Sequence, residues 1–303
     1  MRFKDLLIDH LPYPLLFLVY ELMFMRRVDE EFDRAMEVVD LPLLETLDLS
    51  TVKSSDTVFI LGSGASINRI SPERWEVIRS HDSFGFNFWL FHEHIPSLYV
   101  CEAMDPAVQH LYDESLIDRF HEIASERADD YVGVPKIVGD LDPGRAVPVA
   151  ALPERWRENL YAAPAQFALA RSRDEIEWAM KRFEQRGLFE ASPHLKRLFK
   201  YRATLSKLIG LALCMGYEHI VLCGIDLNTT GYYYQDQELY PHVRPLQSSP
   251  RTKVHATLAD FPRQVPIDQV VYAMNELLVR PRGAKLYIEH IGSALHPALP
   301  LYE

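Results

Sequence analysis

The chain has 303 residues, of which 48% are hydrophobic and 25% are charged. This composition is typical of an ordinary globular protein and excludes intrinsic disorder, collagen and coiled coils. Because 43 Asp and Glu oppose 32 Lys and Arg, for a formal net charge of −11, a surface that coats nucleic acid is not expected.

The N-terminal residues 1–54 are predicted to be a helical segment. The apolar stretch from Leu11 to Met25 is interrupted by two prolines and a glutamate, is too short to span a bilayer, and lacks the small-residue cleavage site of a secretory signal. We interpret it as a helix packed on the domain or at a subunit interface. With Arg26 and Arg27 behind it, an interfacial helix resting on an anionic membrane is the alternative.

A main domain over residues 55–303 is predicted to open with a strand, a glycine turn and a helix. The apolar run Thr57–Leu61 leads into Gly62-Ser63-Gly64-Ala65-Ser66, and the pattern of Pro72–Ser80 suits a helix. Further strands and helices are predicted, in chain order, at 83–88 (strand), 97–104 (strand), 107–128 (helix), 136–138 (strand), 172–200 (exposed helices), 202–215 (helix ending at Gly216), 220–223 (strand), 267–279 (helix) and 285–288 (strand).

Strands that alternate with helices predict an α/β protein with a mainly parallel sheet and a single Rossmann-like, nucleotide-binding domain. Polar side chains lie at or just after the ends of three predicted strands, namely Asn87, Asp105 and Asp226. The carboxyl ends of parallel strands share one edge of the sheet, where such folds bind ligands. The irregular stretch at about residues 228–255 is predicted to be a flexible lid.

The glycine turn by itself allows close approach of a phosphate or ribose. A dinucleotide fingerprint would have a third glycine where this chain has Ile67, and an acidic residue where it has Asn87, so NAD binding is disfavoured. The spacing of His92 and His94 suits a metal, but no third ligand is suggested nearby and no metal is expected. GxSxG, HExxH and Walker sequences are absent, which argues against the commonest hydrolases and nucleoside triphosphatases.

The three consecutive tyrosines Tyr232, Tyr233 and Tyr234 cannot all face one way, so at least one is expected to face a site or a partner.

Three cysteines, Cys101, Cys214 and Cys223, lie scattered in apolar stretches. Neither a disulfide framework nor a CxxC metal site fits them, and a reducing compartment fits best. The predicted location is therefore the cytoplasm, with a peripheral contact to the inner membrane left open.

Taken in order, these motifs resemble the bacterial sialyltransferases of the Campylobacter lipooligosaccharide type. The motifs are Gly62-Ser-Gly64-Ala-Ser66, Phe-Asn87-Phe, Met-Asp105-Pro106, Arg202-Ala-Thr204 and Gly216 to Asp226, and the resemblance covers roughly residues 56–303. It implies an inverting, metal-independent transferase without a cofactor, which uses a CMP-activated sialic acid in lipopolysaccharide or capsule biosynthesis.

The resemblance also implies roles for individual residues. His255 would be the catalytic base, and Tyr234 and Arg202 would stabilise the departing phosphate. The residues implied at the nucleotide and donor are Gly62, Ser63, Gly64, Ser66, Asn87, Asp105, Thr204, Asp226, Asn228 and Ser293. Asp105 replaces an asparagine of the family, and Asn228 stands where the family has a first lid tyrosine.

The predicted partners are a sugar-nucleotide donor and a glycan acceptor, with a homo-oligomer left open. Three alternatives also stay open. The donor sugar could be Kdo, which is likewise a carboxylated keto sugar linked to CMP. The chain could instead be a Rossmann-fold oxidoreductase or methyltransferase, as the GxG turn suggests. It could also be an accessory protein that keeps the nucleotide fold without turnover.

Overall fold

The computed structural model describes residues 11–102, 114–229, 231–243, 257 and 264–303. Predicted site residues Asp105 and His255, and much of the predicted lid, lie outside this part of the chain. The strands are β1 Thr57–Leu61, β2 Asp82–Phe86, β3 Leu98–Glu102, β4 Lys136–Gly139, β5 Leu160–Ala163, β6 Ala165–Phe167, β7 Leu198–Lys200, β8 His219–Cys223 and β9 Lys285–Ile288. The helices are α1 Tyr13–Val19, α2 Arg26–Val39, α3 Pro72–Arg79, α4 Glu114–Glu126, α5 Ala128–Tyr131, α6 Pro143–Ala150, α7 Glu154–Arg157, α8 Arg173–Gln185, α9 Thr204–Cys214 and α10 Ile267–Met274.

Seven of these strands form one sheet in the order β5-β4-β3-β2-β1-β8-β9, and every neighbouring pair is parallel. Strands β6 and β7 form a separate parallel pair. The α/β class and the parallel sheet are confirmed, consistent with a Rossmann-like fold. The core lies on both faces of the sheet, and alternate residues of β1 point to opposite sides, with Val58 and Ile60 on one face and Phe59 and Leu61 on the other.

The predicted strand 57–61 and strand 285–288 match β1 and β9 residue for residue. Gly216, predicted to end the helix that became α9, has φ of 74° as a left-handed cap requires. The sequence did not predict β5, β6 or β7. The stretch 172–200, predicted as exposed helices, contains α8 with a buried apolar face and ends in β7.

The N-terminal helices pack against both faces of the sheet. Tyr13 and Phe17 of α1 join the core on one face, whereas Phe32 and Val39 of α2 join the core on the other. A π-helical turn, Tyr20–Met25, connects α1 and α2. In the described part of the chain, no helix is both long enough and apolar enough to cross a bilayer.

Residues from near both ends of the described chain cover the two outer strands of the sheet. Ala162 of β5 donates its N–H to the Pro42 carbonyl at 2.8 Å. At the other edge, Ile288 of β9 donates to the Pro300 carbonyl at 2.9 Å and accepts from the Tyr302 N–H at 3.1 Å. Both outer strands therefore have hydrogen-bonded neighbours outside the sheet.

Candidate functional site

The order of the strands reverses between β1 and β8. The chain runs from β1 outward through β2, β3, β4 and β5, and then returns to place β8 on the other side of β1. Ligands of such sheets bind in the crevice outside the carboxyl ends of the strands at this switch point. The turn after β1 contains Gly62 and Gly64, and the turn after β8 contains Asp226, so the fold brings these predicted residues together.

The two glycines of the turn allow it to lie directly against the turn that follows β8. The Gly62 N–H donates to the Cys223 carbonyl and the Gly64 N–H to the Gly224 carbonyl, both at 2.8 Å. A Cβ atom on Gly62 or Gly64 would lie 2.7 or 2.6 Å from the Gly224 oxygen, closer than real Cβ atoms come. These glycines are needed for backbone contact within the protein, and their N–H groups are engaged there.

Asp226 occupies the position at which the sequence suggested a phosphate. Its carboxylate accepts the Ser66 N–H at 3.0 Å and the Ser66 hydroxyl at 2.5 Å, and both residues are buried. Ser66 lies at the start of the short 3-10 helix Ala65–Arg69, where a negative charge is favoured. The carboxylate therefore fixes this turn from within the protein.

The segment that contains Ser293 packs against the turn that follows β8. The Ser293 hydroxyl donates to the Ile225 carbonyl at 2.6 Å, and the Ala294 N–H donates to the Asp226 carbonyl at 2.9 Å. The exposed Asn228 donates its amide to the Gly292 carbonyl at 2.6 Å. The fold thus groups Ser66, Asp226, Asn228 and Ser293 as one hydrogen-bonded unit.

A second group of polar residues lies at the carboxyl ends of β2 and β3. Asn87 uses its side-chain oxygen to accept the Glu102 N–H at 3.1 Å, and its amide nitrogen lies 3.4 Å from the Thr204 hydroxyl. That hydroxyl donates to Glu102 Oε1 at 2.6 Å. Asn87 and Thr204, two predicted nucleotide residues from distant parts of the chain, are therefore joined through Glu102.

Two lysines complete this group, which we call the Glu102 cluster: Asn87, Glu102, Asp140, Lys200, Thr204 and Lys207. Lys200 Nζ contacts both Glu102 Oε1, at 2.8 Å, and Asp140 Oδ2. Lys207 Nζ lies 3.5 Å from Asp140 Oδ1, and these two side chains are only 1% and 4% exposed. Gly139 makes room for Lys207, because a Cβ atom there would lie 2.4 Å from Nζ.

Ion pairs within the Glu102 cluster shift the pKa values of Asp140 and Lys200 so that both stay ionised. Burial acts to raise the pKa of Asp140, but Lys207 and Lys200 outweigh it and hold that pKa below its usual value. Burial also acts to lower the pKa of Lys200, but the Glu102 and Asp140 carboxylates outweigh it and raise that pKa. Near neutral pH, Asp140 and Lys200 are therefore ionised.

No protein-family model matches the chain, and no curated protein is significantly similar to it. The residues at this edge of the sheet therefore carry the functional interpretation.

Unusual backbone conformations concentrate at the same edge. Asn87, Asp140, Arg202 and Leu227 all have φ between 49° and 62° although none is a glycine. Such left-handed residues cost roughly 1–3 kcal/mol each and persist where the surrounding structure enforces them, as it often does at functional sites. The strain marks the carboxyl edge of the sheet as the candidate site.

Tyr234 and Arg202, the residues predicted to bind the leaving phosphate, contact other parts of the protein. The Tyr234 side chain is 1% exposed and packs against the rings of Phe88 and Phe91, whereas the neighbouring Tyr232 is half-buried and stacks on Tyr234. Arg202 donates from Nη1 to the Val265 carbonyl at 3.0 Å. Ser63 was predicted to contact the nucleotide or donor. It is half-buried, and its carbonyl accepts the Tyr233 N–H at 3.0 Å.

Glu102, Asp140, Lys200 and Lys207 were not predicted as site residues. Two signals were present in the sequence, since Glu102 lies near the end of the predicted strand 97–104 and Asp140 shortly follows the predicted strand 136–138. Lys207 is also the only charged residue in the helix Thr204–Cys214. A single lysine among small and apolar residues requires an ionic partner once that helix is buried.

Proposed function

We propose that the chain is a glycosyltransferase that moves a carboxylated keto sugar of the sialic acid type from its CMP donor to a glycan hydroxyl. In the proposed step, the bond from the anomeric carbon to the phosphate oxygen breaks. The acceptor oxygen bonds to that carbon, with inversion. The proton of the hydroxyl passes to a base, for which His255 is the candidate, and CMP leaves with the electron pair.

One observation supports this proposal most directly: Glu102 is held by one oxygen and offers the other. Oε1 accepts from Thr204 and Lys200, whereas Oε2 makes no hydrogen bond in the described part of the chain and is not buried. A carboxylate fixed in this way is a suitable acceptor for the hydroxyls of a ribose. It lies at the carboxyl edge, two strands from the switch point.

The lysines of the Glu102 cluster make the edge compatible with the same ligand class. A CMP-linked keto sugar carries a phosphodiester and a carboxylate, and carboxylates without ion partners at this edge would repel both. Lys200 and Lys207 first neutralise Glu102 and Asp140, so they make the edge electrically balanced within a chain of net charge −11. Asn87 is then a positioning residue, since its amide holds Glu102 and Thr204 in place.

Isothermal titration with CMP tests the proposal. We expect wild-type protein to bind CMP and Glu102→Gln to bind it about tenfold more weakly, because a charged hydrogen-bond acceptor is lost. Glu126→Gln, at an exposed carboxylate of α4, is the matched control and should bind CMP as the wild type does. The proposal fails if wild-type protein binds no CMP, or if Glu102→Gln binds it unchanged.

Turnover assays separate the proposal from its alternatives. We expect CMP release from CMP-sialic acid in the presence of an acceptor, and its loss in His255→Ala. Release only from CMP-Kdo would change the donor, whereas CMP binding without release from any donor would indicate an accessory protein. Tight binding of NAD or S-adenosylmethionine with no CMP binding would favour an oxidoreductase or methyltransferase.

A further inference from the structure

A cavity of about 610 Å³ lies beside the glycine turn, on the face of the sheet that α3 covers. Its walls come from the 3-10 helix Ala65–Arg69, from α3, from the segment after β2 and from the segment around Tyr240. Small-molecule sites in proteins have volumes of this order and combine aromatic walls with a few polar groups. Ile67 and Asn68, which line it, directly follow Ser66 of the switch-point turn.

The aromatic part of the wall consists of Trp75 and Tyr240, which are both half-buried, and of Phe91. The Trp75 ring centre lies 4.9 Å from that of His92, and the His92 ring also stacks on Trp89 at 4.4 Å. These contacts fix the position of the indole. Flat aromatic surfaces of this kind pack well against the apolar C–H faces of a pyranose ring.

The polar part of the wall contains acceptors that the described residues do not use. Asn68 Oδ1 is buried and has no hydrogen-bond partner in this part of the chain, while its amide nitrogen donates to the Tyr233 carbonyl at 3.0 Å. The Glu93 carboxylate is exposed, and no hydrogen bond or ion pair of its side chain is seen among the described residues. Both groups can accept hydrogen bonds from hydroxyls.

Two hydrogen-bond donors face the same space. Burial and the neighbouring Glu93 carboxylate raise the pKa of Tyr240 to about 12, so its phenol keeps its proton. Burial, with His94 and nearby arginines, lowers the pKa of His92 to about 3, so this imidazole is neutral near pH 7. Since His92 Nδ1 accepts the His94 N–H at 3.0 Å, its proton resides on Nε2.

The charges of the wall select against anions. Among the described residues that line the cavity, the arginine is Arg127, which donates to the carbonyls of Leu90, His92 and Glu93 and also pairs with Asp130, so its donors are committed to the protein. Among the same described residues, the carboxylate of Glu93 remains without an ion partner and disfavours a phosphate or carboxylate. The guanidinium of Arg79, 6.0 Å from the Trp75 ring centre, disfavours an organic cation at the indole.

We infer that this cavity binds a neutral sugar residue. The ring would pack on Trp75 and Tyr240, and its hydroxyls would bond to Asn68, Glu93 and His92. Its role as the site of the acceptor glycan rests on the proposed function, because only a transferase needs an acceptor next to its donor edge. Sugar binding itself does not depend on that function.

Saturation-transfer NMR with a panel of neutral mono- and disaccharides that includes methyl galactoside, lactose and N-acetyllactosamine tests the inference. We expect saturable binding by wild-type protein, weakened about five- to tenfold in Glu93→Gln and in Tyr240→Phe, since each loses one hydrogen-bonding group. Glu126→Gln and Tyr161→Phe replace an exposed carboxylate and a half-buried phenol that are not among the described lining residues, and should retain wild-type affinity.

Absence of saturable binding to every neutral sugar of the panel would overturn the inference. So would unchanged affinity in both cavity variants, or competition for the site by choline or inorganic phosphate. A CMP titration of the same proteins keeps the two proposals apart. Sugar binding without CMP binding would support the cavity site and refute the transferase proposal. CMP binding without sugar binding would support the transferase proposal and refute the cavity site.

Discussion

The two polar groups at the carboxyl edge of the sheet differ in how far the protein satisfies them. In the switch-point turn, the N–H groups of Gly62, Gly64 and Ser66 all bond to carbonyls or to the Asp226 carboxylate. In the Glu102 cluster, Glu102 Oε2 makes no hydrogen bond in the described part of the chain. The glycine motif therefore connects two turns within the protein, whereas the Glu102 cluster retains a hydrogen-bond acceptor for a ligand.

Replacement of Lys207 by Met should give the largest effect and test whether the Glu102 cluster is a connected ionic unit. The change leaves Asp140, 4% exposed, with Lys200 as its remaining lysine. Loss of one partner from a buried ionic group costs about 3 kcal/mol of unfolding free energy. Urea denaturation measures it, and Lys181→Met, at an exposed position of α8, should change the free energy by less than about 0.5 kcal/mol.

Replacement of Gly64 by Ala tests whether close contact between the turn after β1 and the turn after β8 stabilises the protein. The added Cβ would lie 2.6 Å from both the Gly224 oxygen and an Asp226 carboxylate oxygen, so the turns must separate. We expect a loss of about 1–3 kcal/mol in unfolding free energy by thermal or urea denaturation. Gly133→Ala is the control, because a Cβ there meets no atom within 4 Å. Equal stability of the two variants would refute the role of close contact.

The pH dependence of stability should give the smallest effect. Because the folded pKa of Asp140 lies below its ordinary value of 3.8, its ionised form stabilises the fold fully above that pH, and this stabilisation is lost as the pH falls through the folded pKa. The difference in unfolding free energy between wild type and Asp140→Asn should therefore narrow below pH 3.8, by at most about 1.4 kcal/mol per pH unit.

The exposed Asp129→Asn, compared with the wild type in the same acid titration, should show no such narrowing. A constant difference between wild type and Asp140→Asn from pH 7 to pH 2 would mean that the lysines do not hold this carboxylate ionised.

The sequence predicted the strands that contain apolar and β-branched residues, such as Thr57–Leu61 and Lys285–Ile288. It missed β5 because Leu160–Ala163 contains two alanines, which have little intrinsic preference for strands. The three-residue strands β6 and β7 form only because the tertiary fold places them side by side. Their local sequence contains too few residues for a periodic signal.

The candidate site was predicted only in part, for a similar reason. Strand ends led to Asn87 and Asp226, because position after a strand is visible in the sequence. The pairing of Glu102 and Asp140 with Lys200 and Lys207 joins elements that lie far apart in the chain, so no local pattern reveals it. The ring of Tyr234, which was predicted at the leaving phosphate, packs against Phe88 and Phe91.

The covered outer strands have a consequence for assembly. With Pro42 bonded to β5, and Pro300 and Tyr302 bonded to β9, main-chain groups at both borders of the seven-stranded sheet already have partners. A second copy or an extended peptide would have to displace these segments before it could add a strand. Addition of a strand at either border of this sheet is therefore disfavoured, as is the edge-to-edge growth that leads to aggregation.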